Sequence, residues 1–300
     1  MLATHDRAEL LQHTLRALLQ AYERIDGGRI VLVENGGEFG ARAIAERVDG
    51  GAGRIVYVTC ERANKSAALN VGLESCADGL IFMTDDDVAI DAGLLESYAK
   101  VAARYGPGHF FGGPTVPEFE QPVPSWRRAY LPGSAKGQRF DASAEFLPEH
   151  LTFMGFNWAA YRGDMLAAGG FDPRFGPGSS SGATGQESSM QRRLIKNGCQ
   201  GVVVHDAEVS HYVPAERSSE SWTLARAKRA GTEVGLRVGL TDAAEARRLL
   251  RRRQRQLIVR RLRWYVTRKP AHRVDYHYWV NWLQGFTKGL SRAESDQPPD

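Results

Sequence analysis

Asp85-Asp86-Asp87 is the stretch most able to do chemistry. Three adjacent carboxylates repel one another unless positive charge sits among them. Closely spaced carboxylates suit a hard divalent cation that is also bridged to phosphate oxygens. Mg²⁺ or Mn²⁺ held there would neutralise a diphosphate and stabilise it as a leaving group. If extended geometry continues past Thr84, Asp85 and Asp87 face one way and Asp86 is turned aside. A solvated acidic loop after a strand is the plainer alternative.

The acids follow Leu80-Ile81-Phe82-Met83-Thr84, which reads as a short buried strand. Upstream, a helical pattern places Leu10, Leu11, Leu15, Leu18 and Leu19 on one face. Residues 29–37 read as a strand ending in Glu34, Asn35 and a Gly turn, and residues 40–48 as a helix. Residues 54–59 read as a third strand, 64–73 as a helix despite Gly72, and 94–103 as another helix. Strand and helix alternate four times, which predicts an α/β fold with a mostly parallel, doubly wound sheet. Right-handed crossovers then bring Thr4, Glu34 and Asp85 to Asp87 to one sheet edge, where such folds bind ligands.

Beyond Gly106 the pattern changes. Residues 109–114 read as a strand and turn, and 116–150 as an irregular, Pro-rich loop carrying Trp126, Tyr130 and Phe140. Residues 152–162 read as a strand, 176–185 as a flexible Gly/Ser loop, 202–204 as a late strand with His211 just past it. A helix begins near Gln186-Glu187. No Gly-Lys-Ser/Thr phosphate loop, GxGxxG or HExxH occurs, which counts against P-loop ATPases, dinucleotide enzymes and zincins. Asn64-Lys65-Ser66 also scans as a glycosylation sequon, a reading that a predicted helix start disfavours.

The chain of 300 residues is long enough for a large core, and its 42% hydrophobic and 25% charged content is that of a soluble globular protein. Cys60, Cys76 and Cys199 lack zinc or disulfide spacing, which favours a reducing compartment. With no apolar run of about 18 residues and no signal-peptide pattern, a cytoplasmic location is expected. Twelve Arg and Lys and no acid lie between Arg247 and Arg273, so a basic tail follows an acidic body.

Taken in order, these pieces resemble a family 2 glycosyltransferase of the GT-A fold over residues 1–215. Thr4-His5-Asp6-Arg7 resembles the turn after that family's first strand, although only Met1 to Ala3 precede it. Val33-Glu34-Asn35-Gly36-Gly37 resembles its acid-Asn-Gly turn, and Lys65-Ser66-Ala67-Ala68-Leu69-Asn70 its Lys-to-Ala-Leu-Asn helix start. Thr84-Asp85-Asp86-Asp87-Val88 resembles its DxD element. Gly170-Phe171-Asp172 and Gly185-Gln186-Glu187 through Arg192-Arg193-Leu194 resemble its acceptor half, and His211 its late His.

The resemblance implies an inverting, metal-assisted enzyme that uses a nucleotide sugar, UDP-sugar first. Thr4, Asp6 and Glu34 would line the base and ribose pocket with Lys65 nearby, and Asp85 would approach ribose or sugar hydroxyls. Asp87 would bind the cation, with His211 a further metal or phosphate contact. The family's Glu-Asp pair falls on Gln186-Glu187, which makes Glu187 the candidate base taking the acceptor hydroxyl's proton. Turn and cap chemistry for Thr4, Asp6 and Glu34, a solvated Lys65, a structural His211 and a helix-start acid at Glu187 are the bland counterparts.

This reading divides the chain into a nucleotide-sugar half (1–115), an acceptor half (116–215) and a basic helical extension (216–300). In the extension, Leu250, Leu257, Ile258, Leu262 and Tyr265 fall near one helical face among Arg residues. With Trp264, Tyr276, Tyr278, Trp279 and Trp282 they would suit an anionic membrane surface, or pack on the catalytic body. A saccharide, lipid-linked or small-molecule acceptor is expected, with contact at the inner membrane face. Nucleic acid is disfavoured, because no reader module accompanies the charge. The rivals are a nucleotidyltransferase using the same acids and a silent docking protein.

Overall fold

The alternation read from the sequence is present in the computed structural model, which describes residues 1–295. β1 (Leu2–Thr4), α1 (Ala8–Tyr22), β2 (Ile30–Asn35), α2 (Ala41–Asp49), β3 (Ile55–Cys60), α3 (Lys65–Ser75) and β4 (Leu80–Met83) follow one another. β1, β2 and β3 pair in parallel, and a parallel bridge from Leu2 to Thr84 joins β4 to β1. The order β3-β2-β1-β4 changes direction between β1 and β4, and a crevice opens at such a point beyond the strands' carboxyl ends.

Sequence chemistry explains these elements. Asn64 caps α3, its side chain accepting from the Ala67 amide at 2.9 Å. Gly72 is tolerated inside α3 because a Cβ there would lie 2.5 Å from Met1 Sδ and 2.9 Å from Val33 Cγ2. The helix needs a bare backbone to approach the sheet.

In the second half the mostly parallel sheet becomes mixed. After β5 (Val88–Ile90) and α4 (Leu94–Tyr105) come β6 (His109–Gly112), β7 (Thr115–Phe119), the short helices α5 (Ser125–Arg128) and α6 (Gly133–Lys136), β8 (Trp158–Tyr161) and α7 (Arg162–Ala167). α8 (Gln186–Lys196), β9 (Gln200–Val203) and β10 (Val209–Val213) follow. β8 lies antiparallel between β4 and β6, while β9 is parallel to β6. β10 runs antiparallel to β5. The sheets are therefore parallel at one end and mixed at the other.

The strand expected over 152–162 forms only from Trp158. Upstream, side chains satisfy the backbone in place of a ladder. Gln191 accepts from the Phe153 amide at 2.7 Å, and Gln138 accepts from that of Met154 at 3.1 Å.

One compact unit comprises Met1–Glu118, Gly137–Pro173 and Gln186–Tyr212. Its core lies on both sheet faces. Leu11, Leu15, Leu32 and Tyr98 belong to one cluster, and Leu69, Phe110, Phe153 and Trp158 to the other.

The other unit comprises Phe119–Lys136, Arg174–Gly185 and the chain from Val213 on. It is built on α9 (Glu220–Thr241), α10 (Ala243–Thr267) and α11 (Pro270–Ser295). α9 and α11 run parallel in close contact through glycines. A Cβ on Gly231 would lie 2.0 Å from the Trp282 carbonyl oxygen, one on Gly235 2.1 Å from that of Phe286, and one on Gly285 1.8 Å from that of Lys228. Gly285→Ala would drive a methyl group into backbone. It is expected to cost about 3 kcal/mol, the upper part of the overpacking range, read as a lowered midpoint in thermal unfolding. An unchanged midpoint would contradict this packing.

α10 divides the apolar residues that the sequence grouped on one face. Leu250 and Leu257 pack with Trp282 and Phe286, whereas Ile258, Leu262 and Tyr265 are exposed. Trp282 is itself buried in this helical core, and Trp279 packs against it.

Candidate active site

The ends of β1 and β4 meet at the acidic cluster. The chain bends at Asp86 and Asp87 instead of staying extended, and these two carboxylates share the Arg7 guanidinium while Asp85 meets Lys65. Asp86 turns inward and is 3% exposed. Its oxygens accept from Thr4 Oγ1 at 2.6 Å and from the Arg7 guanidinium at 2.9 Å. Thr14 on α1 donates to the Asp86 and Val88 carbonyls, at 3.0 and 3.1 Å, and so fixes the bend. Arg7 also reaches Asp87 at 3.1 Å.

Asp85 points the other way. Its Oδ1 lies 2.6 Å from Lys65 Nζ, and the same ammonium lies 3.1 Å from Glu187 Oε1. One cation therefore joins the acid at the end of β4 to the first turn of α8. Gln186 Nε2 donates to Glu187 Oε1 at 2.7 Å and fixes the carboxylate's orientation. Behind it stands Gly155, where a Cβ would lie 2.6 Å from Glu187 Cδ. The α8 N-terminus favours negative charge at Glu187.

His211 lies beyond β9, as expected, and sits within a further strand, β10, paired opposite Val88. That antiparallel pairing brings its Nε2 to 3.5 Å from Asp87 Oδ1. The imidazole stacks on Phe156, with ring centroids 4.6 Å apart and planes 14° apart.

These charges are mutually stabilised. Burial alone would lower the Lys65 ammonium, but Asp85 and Glu187 hold it well above the usual lysine range. Burial opposes the charge on Asp85, yet Lys65 keeps its carboxyl below the usual carboxylate range. For Asp86, burial prevails over Arg7 and Thr4 and pushes the carboxyl up. Burial would also lower Arg7, but Asp86 and Asp87 raise it.

Glu34 occupies the adjoining edge, at the end of β2. One oxygen accepts from the Phe39 amide at 2.6 Å and the Ala41 amide at 3.0 Å, the other from the Tyr57 hydroxyl at 2.5 Å. The buried carboxylate thus holds the turn into α2. Burial, aided by Glu34, keeps the Tyr57 phenol protonated. Asp6 is exposed in a left-handed conformation, φ 49°, one residue before Arg7.

Among the described residues, no three His, Cys, Asp or Glu side chains form a ready-made metal cage. The donor set on hand is Asp87 and His211, with Asp85 close in sequence. Oxygen and imidazole ligands suit Mn²⁺, and hard cations at phosphate sites commonly use one or two protein ligands with phosphate and water completing the shell. The residues fit a cation bound jointly with a diphosphate.

Sequence reasoning named Arg7 and Gln186 within their motifs without giving them a role, and passed over Thr14 and Tyr57. The role of Arg7 could have been found, because three adjacent acids require a cation and Arg7 belongs to the same turn motif as Thr4. Tyr57 and Thr14 reach the site only through sheet and helix packing.

Solved structures resemble this chain in fold. The mannosyltransferase PcManGT from Pyrobaculum calidifontis, in complex with GDP-Man and Mn²⁺, superposes with a TM-score of 0.54 at 17% identity, over 99% of this chain and 75% of its own. GalNAc-T7 with UDP, GalNAc and Mn²⁺ superposes with a TM-score of 0.50 at 13% identity, over 72% of this chain and 43% of its own. At such identities the likeness is one of fold, the GT-A fold. No curated protein sequence matches the chain. The sequence profile of glycosyl transferase family 2 matches residues 1–167, more than half of the chain. The protein is a glycosyltransferase and belongs to glycosyl transferase family 2.

Proposed function

We propose that the enzyme moves a sugar from a nucleotide-sugar donor to an acceptor hydroxyl with inversion at the anomeric carbon. The observation that carries this reading is the Lys65 ammonium lying 2.6 Å from Asp85 and 3.1 Å from Glu187. It puts a candidate base beside the acids expected to face the donor.

Thr4, Asp6 and Glu34 line the base and ribose pocket in this proposal, Glu34 through the turn that it holds. Asp85 and Lys65 address ribose or sugar hydroxyls and phosphate. Asp87 and His211 hold Mg²⁺ or Mn²⁺, which when bound supplies charge neutralisation for the departing diphosphate. Glu187 accepts the acceptor's proton as the hydroxyl oxygen bonds to the anomeric carbon. The bond to the diphosphate breaks on the opposite face, and its electron pair leaves with the diphosphate.

UDP-sugars are the first donors to try and GDP-sugars the second. A saccharide, lipid-linked or small-molecule acceptor and a cytoplasmic setting complete the proposal. The test is a panel of sugar nucleotides incubated with the enzyme and Mn²⁺. Release of a nucleoside diphosphate from one of them supports transfer. Release of pyrophosphate from a nucleoside triphosphate would establish the nucleotidyltransferase instead, and turnover of neither would favour a silent protein.

A further inference from the structure

The most solvent-exposed large apolar side chains in the described structure lie together on α10. Ile258 is 62% exposed, Val259 66%, Leu262 59%, Tyr265 66% and Val266 78%. On a helix these five share an arc of about 120°. The opposite side of α10 is the packed one. There Leu250 and Leu257 join the helical core, Arg253 lies 4.5 Å over the Trp279 ring, and Arg260 pairs with Asp275 at 3.3 Å. The exposed arc is therefore a second face, separate from the one that holds the helices together.

Charge surrounds this patch. Arg248, Arg251 and Arg255 continue the same arc toward the helix start, and Arg252, Arg261 and Arg263 border it, all exposed. Arg268 stacks over Tyr265 with its guanidinium 4.4 Å from the ring centroid, at the turn into α11. No acid occurs from Arg247 to Arg273. Five apolar side chains left in water on one face call for a partner, and the arginine border specifies its charge.

We propose that this face of α10 docks on the headgroup region of an anionic lipid bilayer. Aliphatic side chains enter the acyl boundary, Tyr265 sits at the interface, and the arginines meet lipid phosphates. No helix among the described residues is long and apolar enough to cross a membrane, so contact through this face is in-plane. A second copy of the chain is a poorer partner, because it would bring arginine against arginine. Nucleic acid would answer the arginines but leave the aliphatic residues in water. The proposal does not depend on the donor chemistry above.

The test is flotation of the full chain with phosphatidylcholine vesicles, with and without phosphatidylglycerol. Binding is expected only to the anionic vesicles, falling as salt rises. Ile258→Ser with Leu262→Ser and Val266→Ser should reduce it at least tenfold. Arg251→Gln and Arg255→Gln should each reduce it by roughly fivefold. Because these positions are exposed, far-UV circular dichroism and thermal midpoints should be unchanged. No binding to anionic vesicles at low salt would overturn the proposal. So would binding that survives the three serines, or wild-type self-association that the serines abolish without any vesicle binding.

Discussion

Glu187→Gln is expected to lower turnover by about 10²- to 10⁴-fold, the usual contribution of a general base, with donor affinity nearly unchanged. The amide keeps the shape of the side chain. Its carbonyl oxygen can still accept from Lys65 Nζ and Gln186 Nε2, the two donors on Glu187 Oε1. What it loses is the ability to take a proton. Steady-state kinetics with the donor found in the panel would show a fall in kcat and kcat/KM, while titration with the nucleoside diphosphate and Mn²⁺ shows little change. A variant within a few-fold of wild-type turnover would place the base elsewhere.

Lys65→Met has the largest expected effect on stability. It removes the ammonium that bridges Asp85 and Glu187, whose side chains are 25% and 12% exposed. Breaking a buried ion pair by deleting one partner typically costs about 3–5 kcal/mol, because the remaining charge is left uncompensated. Urea unfolding at neutral pH should show a loss of that size.

The pH dependence supplies a sign. In the wild type, Lys65 holds Asp85 below its ordinary range. That stabilisation is complete above the unfolded carboxyl's pKa of about 3.9 and is lost as pH falls through the folded value. In the variant, burial remains and acts upward, so stability should rise as the solution is acidified from neutrality. Asp86, already raised by burial, gives a slope of that sign in both proteins, so the difference between them isolates the Lys65 pairing. On the alkaline side the raised Lys65 contributes fully below about pH 10.4 and loses its contribution only as pH rises through its folded value. Equal stability and parallel pH profiles would contradict the bridge.

How much of this was legible follows from the range of each contact. The βα alternation is local periodicity, and right-handed crossovers convert it into one sheet edge. Thr4 and Asp86 were thus assigned to the same edge, and they meet at 2.6 Å. The bend at Asp86 was not legible, because it depends on Thr14 bonding to the Asp86 carbonyl from α1. His211 was flagged, but its place beside Asp87 depends on β10 pairing antiparallel with β5, a register that no local pattern encodes. The strand expected before Trp158 failed because Gln138 and Gln191 took the backbone's hydrogen bonds. On α10, Leu257 and Ile258 are one residue and about 100° apart, enough to send one into the core and the other into water.

The central claim is that Glu187 acts across the anomeric carbon from a diphosphate held at the Asp85–Asp87 edge. Its most direct test is the configuration of the first sugar product, followed by proton NMR before mutarotation, from an α-linked donor hydrolysed with Mn²⁺. The account predicts the β anomer first, absent in Glu187→Gln. An α anomer appearing first would contradict it.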